Sequence, residues 1–161
     1  MDIKNRIKIF PVLPGDPRLD QIEILFKQLY KSESEFGVSV RLIEGGEKIW
    51  RRTIEKMLGK YAQIIVAAEE DKICGFSYGS LRMMPACFGG IVIGYWEAMI
   101  IKPEYRKLGL GDQMTLQLMD WWREKGAVIF EGERLITNYN AARNFDRLGF
   151  KQELIRYRRK A

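Results

Sequence analysis

Trp96-Glu97-Ala98-Met99-Ile100-Ile101-Lys102-Pro103, followed by Glu104-Tyr105-Arg106-Lys107-Leu108-Gly109-Leu110-Gly111, joins a strand to a helix through a basic, glycine-bearing loop. The apolar run Ile91–Lys102 has the length of a long strand, and Pro103, with no N–H for a ladder, stops it. Beyond the loop, Leu110, Met114, Leu118 and Trp121 recur at helical spacing within Leu110–Lys125. Asp112 lies in that helix's first turn and Gly126 follows its end, as the helix dipole and αL capping favour. Backbone N–H groups at a helix start carry partial positive charge and can converge on one anion. Glycines let the chain approach phosphate oxygens without a Cβ and supply the positive φ of an anion nest. Arg106 and Lys107 add formal charge. The bland alternative is a strand-to-helix turn with solvated basic residues.

Working outward, Val128–Thr137 reads as a strand, Ala141–Leu148 as a short helix ended by Gly149, and Gln152–Arg158 as a last strand. The basic residues Arg156, Arg158, Arg159 and Lys160 read as a solvated edge that discourages strand pairing. Upstream, Ile64–Ala68 and Ile73–Leu81 form strands across the acidic turn Glu69-Glu70-Asp71. Arg82-Met83-Met84-Pro85 with Cys87-Phe88 then makes a loop. Ile3–Leu13 is a first strand closed by Pro11 and Pro14. Asp16-Pro17 opens a helix with Leu19, Ile22, Leu25, Phe26 and Leu29 on one face. Ser32–Ser39 is a loop, and Glu47–Leu58 a second helix with Gly59 as its cap. No linker or repeat divides 1–161, so the expectation is one domain of mixed α/β class with helices packed on a mixed sheet.

The chain has 161 residues, 47% apolar and 30% charged, a globular balance rather than a disordered one. No apolar run reaches the length that spans a bilayer, and 1–8 lack the apolar stretch of a secretory signal. Cys74 and Cys87 do not make a disulfide framework, so both are expected as reduced thiols in a cytoplasmic protein. The net charge of +6 suits nucleic acid or a small phosphorylated ligand equally. The absence of histidine decides more. It removes Ser-His and Cys-His nucleophile pairs and the common zinc sites, leaving carboxylates, Tyr, Lys and water for proton transfer. Of Trp121-Trp122, helical spacing sends one ring to the core and leaves the other at its edge.

Two motifs in order make a family resemblance. The stretch from Trp96 to Gly111 resembles the signature strand and loop of GNAT-type N-acetyltransferases. Asn138-Tyr139-Asn140-Ala141-Ala142-Arg143-Asn144-Phe145-Asp146-Arg147-Leu148-Gly149-Phe150 is similar to that family's second signature. The likeness covers Ile91–Phe150, while residues 1–60 carry no signature of their own. It implies a single-domain GNAT-like fold: a mixed, mostly antiparallel sheet whose two parallel strands splay apart, with flanking helices. It also implies acetyl-CoA or coenzyme A as co-substrate, no metal, and direct transfer to a primary amine.

By the same resemblance the pyrophosphate lies over Arg106, Lys107, Leu108, Gly109, Leu110 and Gly111. The pantetheine runs beside the backbone of Met99, Ile100 and Ile101, and Asn138 contacts that arm. A helix cap is an equal reading of Asn138. Glu97, an ionisable residue inside an apolar run, is the candidate general base, with a structural ion pair as the alternative. Where the family often has a Tyr acid this chain has Phe145, which donates no proton and reads as core; Tyr105 and Tyr139 are near in sequence. The acceptor, a small-molecule or peptide amine, is not legible. A homodimer is compatible with the resemblance, a membrane is not expected, and the two signatures weigh against nucleic acid. The rival readings are a coenzyme A-binding module without catalysis and a basic nucleic-acid-binding domain.

Overall fold

The computed structural model describes residues 6–161. Five strands form one sheet in the order of the chain: β1 (Ile7–Pro11), β2 (Ala62–Glu69), β3 (Lys72–Met83), β4 (Val92–Ile101) and β5 (Ala127–Gly132). The first four run antiparallel to their neighbours, and β4 with β5 is parallel. Four helices flank them: α1 (Leu19–Ser34), α2 (Gly46–Met57), α3 (Leu110–Glu124) and α4 (Tyr139–Arg147).

The strand positions separate two cores by side-chain alternation. Ile64, Val66, Ala68, Phe76 and Ala98 face α1 and α2, where Leu19, Ile22, Leu25, Phe26 and Ile54 are buried with them. Trp50 stacks on Phe26 at a centroid distance of 3.9 Å and closes that layer. Ile65, Ala67, Cys74 and Trp96 face the opposite side, under Leu110, Met114, Leu118 and Trp122 of α3. Trp122 is wholly buried. A Cβ on Gly79 or Gly94 would stand within 2.4 Å of its ring, so two glycines make the bed in which α3 is seated. Trp121, read from its spacing as a member of the stripe with Leu110, Met114 and Leu118, stays at the margin of the same core, and its neighbour Trp122 takes the central place.

Several boundaries differ from the sequence reading. The first strand is observed from Ile7, and 3–5 of the expected span 3–13 lie outside the described residues. Asp16 caps one turn ahead of α1: its carboxylate accepts the Arg18 N–H at 2.9 Å, and the helix proper starts at Leu19. That helix runs on through Ser34 and takes the first residues of the expected loop. Likewise β3 extends to Met83, because its partner β4 is long enough to pair Met83 with Val92. The strand expected over 128–137 ends at Gly132, where β4, its ladder partner among the described residues, diverges. The strand expected over 152–158 does not form, and residues 151–161 are all exposed without regular structure.

Candidate functional site

The site is built on β4. Its first half is sealed to β5 from Val92–Ala127 to Trp96–Gly132, and there the parallel ladder ends. Residues 97–101 keep β3 alone as a partner. Lys102 N–H bonds the Cys74 carbonyl of β3 at 2.9 Å. Alternation then turns the backbone groups of Met99 and Ile101 to the open side. Ile101 O on that side accepts Arg106 Nε at 3.0 Å. Ile100 and Ile101 also wall a groove of about 320 Å³, completed by Leu25, Gln28, Lys31 and Ser32 of α1 and by Arg106.

Phe145 fills the vertex of the splay. Its ring lies 4.9 Å from Trp96 and 5.1 Å from Phe150, and a Cβ on Gly132 would come within 2.8 Å of its Cε1 and Cζ. The ring is therefore a wedge between the two strands, the packing role its apolar character predicts.

Glu97 is the first residue beyond the last β4–β5 pair. The β3–β4 register passes from Gly79–Trp96 to Tyr78–Ala98, so Glu97 is the unpaired residue of a bulge. Its Oε1 accepts the Ser80 hydroxyl at 2.6 Å and lies 3.4 Å from the Arg82 guanidinium, which covers the Tyr95 ring. About a quarter of the Glu97 side chain, 27%, stays open to solvent. Burial pushes the Tyr30 phenol up to about 12, and the charges of Glu33 and Glu97 add to it. Burial likewise raises Tyr78, again with Glu97 contributing. Both phenols therefore stay protonated at neutral pH. The ion pair weighed against a catalytic role is present, but among the described residues Oε2 has no protein donor, and the side chain stays part-exposed.

The loop after β4 has the geometry of an anion nest. Lys107 has φ +63° and Gly109 φ +74°, alternating with ordinary backbone up to the helix start at Leu110. Among the described residues, no acceptor meets the N–H groups of Lys107, Leu108, Gly109, Leu110, Gly111 or Asp112. Six donors at one helix start suit an anion with several oxygens. A Cβ at Gly111 would lie 3.1 Å from Met99 Sδ, so this glycine serves the packing of α3 on β4. Asp112 would repel such an anion, but Arg147 of α4 grips its two oxygens at 2.6 and 2.7 Å. Neither Arg147 nor Ser80 was singled out from sequence. The one stands 35 residues from its partner and the other 17, and no local pattern signals either contact.

Asn138 caps α4, its Oδ1 accepting the Ala141 N–H at 3.0 Å. Tyr105 is buried and donates to Glu69 at 3.0 Å, while Tyr139 is 70% exposed. Cys74 is buried, Cys87 exposed, and both are free. Among the described residues no group of three His, Cys, Asp or Glu side chains could hold a metal ion. No helix there is long and apolar enough to cross a membrane.

The family model described as the acetyltransferase (GNAT) domain matches residues 60–152, more than half of the chain. The chain belongs to the GNAT acetyltransferase family. Solved structures agree on the fold. An aminoglycoside N-acetyltransferase, AAC(6')-Iy, in complex with CoA, superposes with a TM-score of 0.75 at 18% identity, covering 96% of this chain and 95% of that one. An aminoglycoside acetyltransferase from an uncultured soil metagenomic sample, in complex with trehalose, gives 0.72 at 15% identity over 99% of both chains. An acetyltransferase from Pyrococcus furiosus, described as putative, gives 0.72 at 18% over 96% and 99%. No curated protein matches the sequence.

Proposed function

We propose that residues 1–161 form one N-acetyltransferase domain that moves an acetyl group from acetyl-CoA directly to a primary amine. The observation that carries this reading is the pairing of an open half-strand, 97–101, with six unpartnered N–H groups at the start of α3. A pyrophosphate suits the nest over 106–111, with Arg106 and Lys107 adding charge. The amide of a pantetheine arm can then add to β4 as a strand would, bonding the open backbone of Met99 and Ile101 beside Ile100. Asn138 reaches the arm from the start of α4 only through lone pairs or N–H groups its cap leaves free.

Acetyl-CoA supplies an activated acyl carbon as a thioester. The amine must arrive with a lone pair, so one proton has to leave the ammonium before attack. Glu97 accepts that proton, directly or through water, from its place at the mouth of the splay. Ser80 holds the carboxylate in position by its hydroxyl, and the Arg82 guanidinium flanks it. Nitrogen bonds to the acyl carbon, the carbon–sulfur bond breaks, and the thiolate leaves, while the second proton shed by the nitrogen passes to the departing sulfur, directly or through water. Thiols ionise near pH 8.5, so the departure needs no strong acid, consistent with Phe145 at the wedge. The acceptor is a small-molecule or peptide amine, and the free thiols suit a cytoplasmic protein.

Glu97→Gln is the test. Loss of a general base should lower kcat about 10²–10⁴-fold with coenzyme A affinity little changed, and flatten the acidic limb of the pH–rate profile. Unchanged turnover across pH would return Glu97 to a structural ion pair with Arg82.

A further inference from the structure

A chain that adds to a strand edge lies about 4.8 Å from it, the spacing of neighbouring strands. A pantetheine arm on the open half of β4 therefore follows the track that β5 takes on the paired half, from Val92–Ala127 to Trp96–Gly132. With the pyrophosphate at the nest, the arm runs from Ile101 toward Glu97, about 13 Å at about 3.3 Å per residue. Its thioester end points at the end of β5, and whatever hangs beyond the sulfur has the vertex in front of it. Apolar atoms close that vertex. Cε1 and Cζ of Phe145 press on Gly132 so closely that a Cβ there would stand 2.8 Å from both. Trp96 and Phe150 brace the ring at 4.9 and 5.1 Å. Trp96 is itself 7% exposed and pinned, its Nε1–H donating to Ser77 Oγ at 3.0 Å. Phe145 is only half-buried, so part of its ring is left bare.

We propose that Phe145 sets the length of the acyl group this protein transfers, holding acetyl and turning away longer straight chains. The inference rests on the arm lying along β4 as the function requires. An acetyl group extends one methyl beyond its carbonyl. Each further methylene needs room that the Phe145 ring occupies or that the attacking amine must take. Straight ahead stands Gly132, the last residue of β5. Trp96 and Phe145 bar the side of α3, where both pack in that helix's core. The remaining way out passes Glu97, where the amine has to arrive for its proton to be taken. The ring yields little, because a packed site resists even one added methylene and both of its aromatic neighbours are fixed.

Acetyl-, propionyl-, butyryl- and hexanoyl-CoA are compared as donors to one amine, by kcat/KM from thiol release, and as ligands without amine, by titration calorimetry. Wild type should lose at least about tenfold in kcat/KM for each methylene added, and affinity should fall in the same order. Phe145→Ala should flatten both series, with propionyl- or butyryl-CoA equal to acetyl-CoA or better. Phe145→Leu opens a smaller space and should move the cut-off by a shorter step; it decides the matter if Phe145→Ala does not fold. Ratios between donors cancel a loss of folded protein, so a merely structural role of the ring would leave them unmoved. Equal use of all four donors by wild type overturns the proposal, as does a preference for acetyl that both variants keep. Binding that follows chain length without turnover keeps the gate and contradicts acyl transfer. Binding that ignores chain length removes the gate alone, and no binding of any acyl-CoA removes the arm and the gate together.

Discussion

Gly132 and Phe145 meet at the vertex of the splay, and changing both separates packing from chemistry there. Gly132→Ala places a methyl 2.8 Å from Cε1 and Cζ of Phe145 and 3.3 Å from Trp96 Cβ. The ring cannot swing freely, because Trp96 and Phe150 flank it at 4.9 and 5.1 Å. Overpacking of this kind costs about 1–3 kcal/mol. Phe145→Leu removes ring atoms from a half-buried site and costs about 1–2 kcal/mol, mostly as a cavity. In the double variant the new methyl occupies space that the ring has vacated. The two losses should therefore fail to add by at least about 1 kcal/mol, the double variant being more stable than the sum predicts. Urea unfolding followed by tryptophan fluorescence measures all four corners of the cycle, with Trp96 a reporter at the contact. Additivity within about 0.5 kcal/mol would refute the wedge and move Phe145 out of the vertex.

Two further outcomes follow from the loop and from α1. Coenzyme A should raise the melting temperature of the wild type, whereas Gly109→Val, which puts a branched side chain at φ +74°, should abolish the shift; an equal shift in both would remove the loop from binding. Asp16 is held below its usual 3.8 by hydrogen bonds from Arg18. A depressed carboxylate contributes stability above its unfolded pKa and loses it as pH falls through the folded value. Asp16→Asn should then cost about 1 kcal/mol at pH 7 and progressively less below about pH 4. A cost that does not change with pH would contradict the ion pair at the start of α1.

What the sequence made legible were features that local chemistry alone determines. Pro103, the glycines after it and the stripe from Leu110 to Leu118 place the end of β4 and the start of α3 within a residue or two. The acidic turn, read as Glu69-Glu70-Asp71 and observed at Glu70-Asp71, and the αL glycines 59 and 126 were equally local. What was misread depended on partners. Residues 133–137 look like strand, but a strand ends where its neighbour departs, and β4 departs after Trp96. Segment 152–158 reads as a strand, yet it joins no strand of the sheet. The site divides the same way. Glu97 stood out as a charge in an apolar run, yet the bulge that frees it is a register shift against β3 and invisible along one strand. The hydroxyl of Ser80 and the grip of Arg147 on Asp112 depend on residues distant in sequence.

Acyl transfer to an amine can be decided in one reaction. The protein is mixed with acetyl-CoA and a panel of amines, polyamines, aminoglycosides, amino acids and peptide N-termini among them. Thiol release is followed, and product mass is read at the end point. Amine-dependent thiol release should be matched by a product one acetyl group heavier, and both signals should fall together in Glu97→Gln. Coenzyme A binding with no amine-dependent release across the panel would contradict it and leave a coenzyme A-binding module without catalysis.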